Sequence, residues 1–178
     1  MQERGNSSYS QSPASTLSRS IWTCWRIVVP MTTNGTRTSI LDAGVLLALA
    51  LGGPASTELA ELIQRGDGTF ACTEIGLCEF LYILCRRVSW RKAKRKIDLL
   101  LRSSAVRIIP MSAIWVESAR IKCKVPIPLP DCHTIAAARL SKEVALFARR
   151  ERETADAMNS GKLRDKVLFL EGMGHSQT

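Results

Sequence analysis

Two histidines in 178 residues leave little material for imidazole-based metal centres or for a Ser-His-Asp device. His133 falls inside the helical pattern that follows Asp131, where it reads as a surface or packing residue, and His175 is close to the last residue. Neither stands at zinc-ligand spacing from a cysteine, and no phosphate-cradling loop of the G-x-x-x-x-G-K type is present. The six cysteines, Cys24, Cys72, Cys78, Cys85, Cys123 and Cys132, form no C-x-x-C pair and no regular disulfide spacing. Cys72, Cys78, Cys85 and Cys132 lie beside aliphatic residues and are expected to act as small buried hydrophobes in a reducing, cytoplasmic compartment. No apolar run approaches the ~20 residues of a membrane span. The nearest, Ile21 to Val29, is short and carries Arg26, which also makes it a poor signal-peptide core.

What the chain does have is apolar content, 46%, enough for one core, and a surplus of 25 Lys and Arg over 16 Asp and Glu. A net charge of +9 favours a polyanionic partner. Four arginines and one glutamate lie in the first 37 residues, so the remainder is basic in its own right. Residues 1–20 hold seven serines and little that can be buried. Residues 1–37 therefore read as a disordered extension or a mis-assigned start, with Met31 as the alternative first residue. A single domain is expected over 38–171, and a frayed tail over 172–178.

Within the domain, strands and helices alternate. Thr38 to Leu41 reads as a buried strand that ends at Asp42 and passes through Ala43-Gly44 into a helix over Val45 to Leu51. Gly52-Gly53-Pro54 ends that helix, and Ser56 or Thr57 can cap the next. Strands are expected at Thr69 to Cys72, Val106 to Ile109, Val144 to Ala148 and Val167 to Leu170. Between them, Ile75 to Cys85 is apolar nearly all round and marks a buried helix whose one charge is Glu79. Trp90 to Arg102 is expected to bury Ile97, Leu99, Leu100 and Leu101, and a helix capped by Ser112 to pack through Ile114, Trp115, Ala119 and Ile121. The alternating prolines from Pro126 to Pro130 hold the backbone extended and deliver Asp131 as the N-cap of another helix. This order implies an α/β fold, a parallel sheet with helices on both faces.

Four acids thus reach a strand end, a buried helix, a helix start and a second strand end: Asp42, Glu79, Asp131 and Glu151. In parallel sheets the loops at the carboxyl edge form the ligand crevice. A run from Arg86 to Lys96 supplies seven basic residues and no acid. Taken singly, each feature has an ordinary explanation as a cap or a solvated face. An all-carboxylate cluster prefers Mg²⁺ or Mn²⁺ to zinc, and such an ion suits phosphodiester hydrolysis.

At these residues the chain resembles the PIN-domain family, the nuclease fold of prokaryotic VapC-type toxins and of several RNA-processing factors. The matching stretches are Ile40-Leu41-Asp42, Thr73-Glu74-Ile75 through Glu79-Phe80-Leu81, Leu129-Pro130-Asp131-Cys132 with Ile135-Ala136-Ala137-Ala138, and Ala145 through Glu151. The resemblance implies a three-layer α/β/α sandwich around a central parallel sheet. It implies a metal-dependent endoribonuclease, the toxin of a type II toxin–antitoxin pair, with Mg²⁺ or Mn²⁺ held by Asp42, Glu79, Asp131 and Glu151. A nuclease of rRNA or tRNA maturation and a catalytically silent RNA-binding scaffold are the alternatives. RNA, a small antitoxin protein and a second copy of the chain are the implied partners, with Arg86, Arg87, Arg91, Lys92, Arg149 and Arg150 on the RNA and no membrane involved. Glu151 stands where the family more often has aspartate, and the doubled Arg149-Arg150 keeps Glu153 as a substitute. Gly44 stands where many members carry a serine, threonine or asparagine that supports the metal site.

Overall fold

β1 (Thr38–Leu41) is the central strand of a five-stranded sheet, with neighbours on both sides: β2 (Thr69–Thr73) and then β3 (Arg107–Ile109) on one, β4 (Val144–Phe147) and then β5 (Val167–Phe169) on the other. All four pairings are parallel. The computed structural model describes residues 38–171 except 53 and 67. The expected extension over 1–37 and tail over 172–178 lie outside the described residues. Helices connect the strands: α1 (Ala43–Leu51), α2 (Pro54–Arg65), α3 (Glu74–Val88), α4 (Trp90–Ser103), α5 (Met111–Lys124), α6 (Leu129–Ser141) and α7 (Arg152–Asn159). No helix of the described residues is long and apolar enough to cross a membrane.

Alternation along the strands divides the core in two. Leu41, Cys72 and Leu146 point into one cluster with Val45, Leu46, Leu49, Phe80, Leu84 and Leu100. Their neighbours Ile40, Ala71, Ala145 and Phe147 point into the other, with Ile114, Ile121, Ile127 and Ile135. A strand buried on both faces reads as a continuous apolar run, as Ile40-Leu41 and Ala145-Leu146-Phe147 do. The result is a three-layer α/β/α sandwich, α1 to α4 over one face and α5 to α7 over the other. Each fully buried Leu, Ile or Phe contributes about 1.5–3 kcal/mol, so Phe80 and Leu84 alone anchor α3 firmly.

The helices start and face differently from the sequence expectation in several places. α1 begins at Ala43 rather than Val45, because the Asp42 side chain accepts the Gly44 N–H at 2.9 Å and caps it. α6 begins at Leu129, so Asp131 sits in its first turn and Pro128 takes the N-cap position. The proline rule restricts residues before each proline but leaves Pro130 free to join a first turn. α5 is headed by Pro110 with no side-chain cap, and Glu74 in place of Ser112 accepts the Met111 N–H at 2.7 Å. On α4 the buried residues are Ala93, Lys96, Ile97 and Leu100, whereas Leu99 and Leu101 are exposed. Four apolar residues at 97, 99, 100 and 101 cannot share one side of a 3.6-residue helix. Trp115 is 58% exposed and Ala119 is exposed also, leaving Ile114, Ser118 and Ile121 to pack α5. Among the cysteines, Cys72 and Cys132 are buried, Cys85 is half-buried and Cys78 is exposed. His133 is buried, its Nδ1 2.6 Å from the Leu129 carbonyl oxygen.

Candidate active site

The strand order reverses between β1 and β4, since the chain adds β2 and β3 on one side and β4 and β5 on the other. In open α/β sheets the crevice outside the carboxyl ends at that point is where ligands bind. Here β1 ends at Asp42, and β4 runs out through Ala148 and Arg149 to Glu151. The two ends are tied together by the Asp42 N–H, which donates to the Leu146 carbonyl at 2.9 Å. Glu151 heads α7, but its side chain makes no capping bond. α3 brings Glu79 from one helical layer and α6 brings Asp131 from the other.

These four side chains line a single cleft of about 530 Å³. Arg87 and Arg149 also line it, and Leu47, Leu51 and Ile83 give it an apolar wall. The structure therefore brings together all four acids singled out in the sequence, and Glu151 rather than Glu153 reaches the cleft wall. The proposed RNA-contacting residues divide. Arg86 lies over the Tyr82 ring, 5.2 Å from its centroid, and the Arg150 N–H donates to the Glu171 carboxylate. Arg91 lines a separate groove on α4. Reading the sequence missed the apolar wall, because Leu47, Leu51 and Ile83 look like any core residues until their helices are placed.

The electrostatics are those of like charges gathered in a partly dry place. Burial raises the Asp42 carboxyl above its ordinary range, against the lowering effect of the Gly44 and Ala43 N–H groups, and Glu151 pushes it further. Glu79 is raised by burial and then by Asp42 and Glu151. Asp131 is pushed up to about 7, first by burial and then by Asp42, Glu151, Glu79 and Glu153. No ion pair among the described residues involves any of the four. Although Arg87 and Arg149 stand in the same cleft, neither pairs with these carboxylates, and a hard dication would supply a direct countercharge.

Among the described residues, no three or more His, Cys, Asp or Glu side chains are arranged closely enough to hold an ion by themselves. Mg²⁺ keeps several waters and is usually bound through one or two carboxylates plus substrate phosphates. Gly44 adds to the openness, but with little room: a Cβ there would stand 3.1 Å from both the Ala148 Cβ and the Asp42 Oδ2.

Comparison with known proteins gives the same address for the chain. The PIN domain profile matches residues 39–157. No curated protein matches the sequence significantly. Among solved structures, VapBC2 of Rickettsia felis, bound to a DNA fragment from its promoter, is similar over 74% of this chain and 98% of its own. The identity is 16% and the TM-score 0.56. VapC20 of Mycobacterium tuberculosis, a sarcin-ricin loop cleaving toxin, covers 67% of this chain and 94% of its own at 17% identity, TM-score 0.51. PAE2754 of Pyrobaculum aerophilum covers 79% and 96% at 18% identity, TM-score 0.51. At such identities the likeness is one of fold.

Proposed function

Because the chain belongs to the PIN-domain family, we propose that it is a metal-dependent endoribonuclease and the toxin of a type II toxin–antitoxin pair, acting in the cytoplasm. The observation that carries this reading is the convergence of four carboxylates from four separate elements, with no compensating ion pair, on one cleft at the carboxyl edge of the sheet. Support for the toxin assignment comes from the likeness to the VapBC2 and VapC20 structures. The proposed partners are RNA, a small antitoxin protein and a second copy of the chain.

In this reading Asp42 and Asp131 would hold a Mg²⁺ or Mn²⁺ ion, and Glu79 and Glu151 would hold its waters, moving in to ligate it directly only if the side chains shift. When bound, such an ion lowers the pKa of a coordinated water and stabilises charge on the phosphodiester during in-line attack. The chain's own side chains do the remaining work. Arg87 and Arg149, on opposite elements of the cleft, meet phosphates by charge-assisted hydrogen bonds. Leu47, Leu51 and Ile83 offer a surface against which a base or sugar lies. Asp131, its carboxyl pushed up to about 7, binds or releases a proton around neutral pH and would be ionised with a cation beside it.

The test is cleavage of a mixed RNA pool in Mn²⁺ or Mg²⁺ by the wild type, Asp42→Asn and Asp131→Asn. The expected outcome is metal-dependent cutting that each substitution lowers by about a hundredfold or more. Cutting that survives both substitutions would sink the reading. RNA binding without cutting and without metal binding would favour the scaffold alternative in its place.

A further inference from the structure

The basic run from Arg86 to Lys96 does not act as one surface. Arg87 lines the cleft, Arg86 lies over Tyr82, and Lys96 is buried with its Nζ donating to the Ala50 carbonyl at 3.2 Å. The rest is organised by α4. At 3.6 residues per turn, Arg91, Arg95 and Arg102 fall in one row, opposite the buried Ala93, Lys96, Ile97 and Leu100. Lys94 pairs with Asp98 one turn on, and Arg91 and Arg102 add positive charge to the same face. Trp90 stands at its head, 60% exposed, and together these residues line a groove of about 580 Å³. What distinguishes Trp90 from the equally exposed Trp115 is its place in a groove lined by cations, where an indole can stack on a base while the phosphates beside it are neutralised.

We propose that this face of α4 docks single-stranded RNA outside the cleft, with Trp90 stacking on a base and Arg91 and Arg102 meeting backbone phosphates. The proposal rests on the nuclease reading in that RNA is the substrate. Charge selects the occupant. Residues 1–37 of the same chain could compete for the groove, but they carry four arginines and one glutamate and so have the same sign as the face. Position selects it too. Trp90 follows Arg87 by three residues, which limits their Cα separation to ~11 Å. A strand held at Arg87 is therefore within reach of Trp90.

The experiment uses the full chain in EDTA and a fluorescein-labelled oligouridylate of about twelve nucleotides, with anisotropy read at several KCl concentrations. Trp90→Ala should weaken binding about tenfold or more, and Trp90→Phe should restore most of it. Arg91→Gln with Arg102→Gln should flatten the plot of log affinity against log salt by about 0.7 per lost phosphate contact. Circular dichroism checks that the variants fold. Wild-type affinity and salt slope in folded variants would overturn the proposal, as would hydrogen exchange showing that residues 1–37, and not the RNA, protect α4. The two readings fail separately. A chain that binds the oligonucleotide through Trp90 but never cuts RNA in Mn²⁺ keeps the docking face and loses the nuclease. A chain that cuts RNA but binds it without regard to Trp90, Arg91 and Arg102 keeps the nuclease and loses the face.

Discussion

At the scale of one residue, Asp131 makes the site measurable without any substrate. Its carboxyl ordinarily titrates near 3.8 and is pushed up to about 7 in the folded chain, by burial and then by its acidic neighbours. Between these values the folded protein binds more protons than the unfolded one, so stability falls as pH rises through that window. The contribution is fully present below about 4 and gone above about 7. The group is partly open to water, so the effect is of order 1 kcal/mol. In metal-free buffer the thermal midpoint should therefore drop from pH 4 towards pH 7, and Asp131→Asn should flatten that part of the profile. An unchanged slope in the variant would mean that the strain lies elsewhere. Gly44 poses a steric question at the same scale. An added Cβ meets the Ala148 Cβ and Asp42 Oδ2 at 3.1 Å, and the helix gain of about 0.5–1 kcal/mol from Ala is set against overpacking of about 1–3 kcal/mol. Gly44→Ala should come out destabilising by about 1 kcal/mol in a chemical denaturation curve.

At the scale of an element, α3 carries Glu79, Ile83 and Arg87 into the cleft at one-turn intervals, and its start is fixed by Thr73. That hydroxyl is fully buried at the end of β2 and accepts the Gly76 N–H at 3.0 Å. Thr73→Ala should cost about 1–2 kcal/mol on urea denaturation, and Thr73→Ser should recover most of it, since the oxygen is what caps. A loss equal in both would point to packing of the methyl group. The elements were legible in the chain where local chemistry decides them. β1 with the Asp42 that follows it and the apolar α3 both declare themselves by pattern. What the chain alone concealed is which side of a helix finds a partner. Leu99 and Leu101 are as apolar as Leu100, and only the packing of α4 on α3 buries one and leaves the others in water. Lys96 is the converse, a charge buried because it can reach the Ala50 carbonyl at the end of α1. The four acids were readable because Asp42, Asp131 and Glu151 sit at element boundaries and Glu79 is the one charge in an apolar stretch, whereas the apolar wall beside them had no such mark.

At the scale of the whole molecule, a basic protein holds an acidic crevice at the point where its sheet changes direction. The surplus of +9 attracts a polyanion, and the crevice then needs a cation to admit one. Both needs predict a linkage between metal and stability. A dication that binds the folded chain and not the unfolded one stabilises it by about 2.7 kcal/mol at a hundred times its dissociation constant. For a chain of this size that is a rise of roughly 5–10 °C in thermal midpoint. The rise should be seen with MgCl2 or MnCl2 at pH 8 and exceed that given by KCl of equal ionic strength, because screening alone does not place a charge between the carboxylates. It should shrink as pH falls below about 7, where Asp131 keeps its proton and competes with the cation. Asp42→Asn with Asp131→Asn should raise the metal-free midpoint at pH 8, by removing like charges, and abolish the metal increment. Equal increments in the wild type and the double variant would place the cation somewhere other than this cleft.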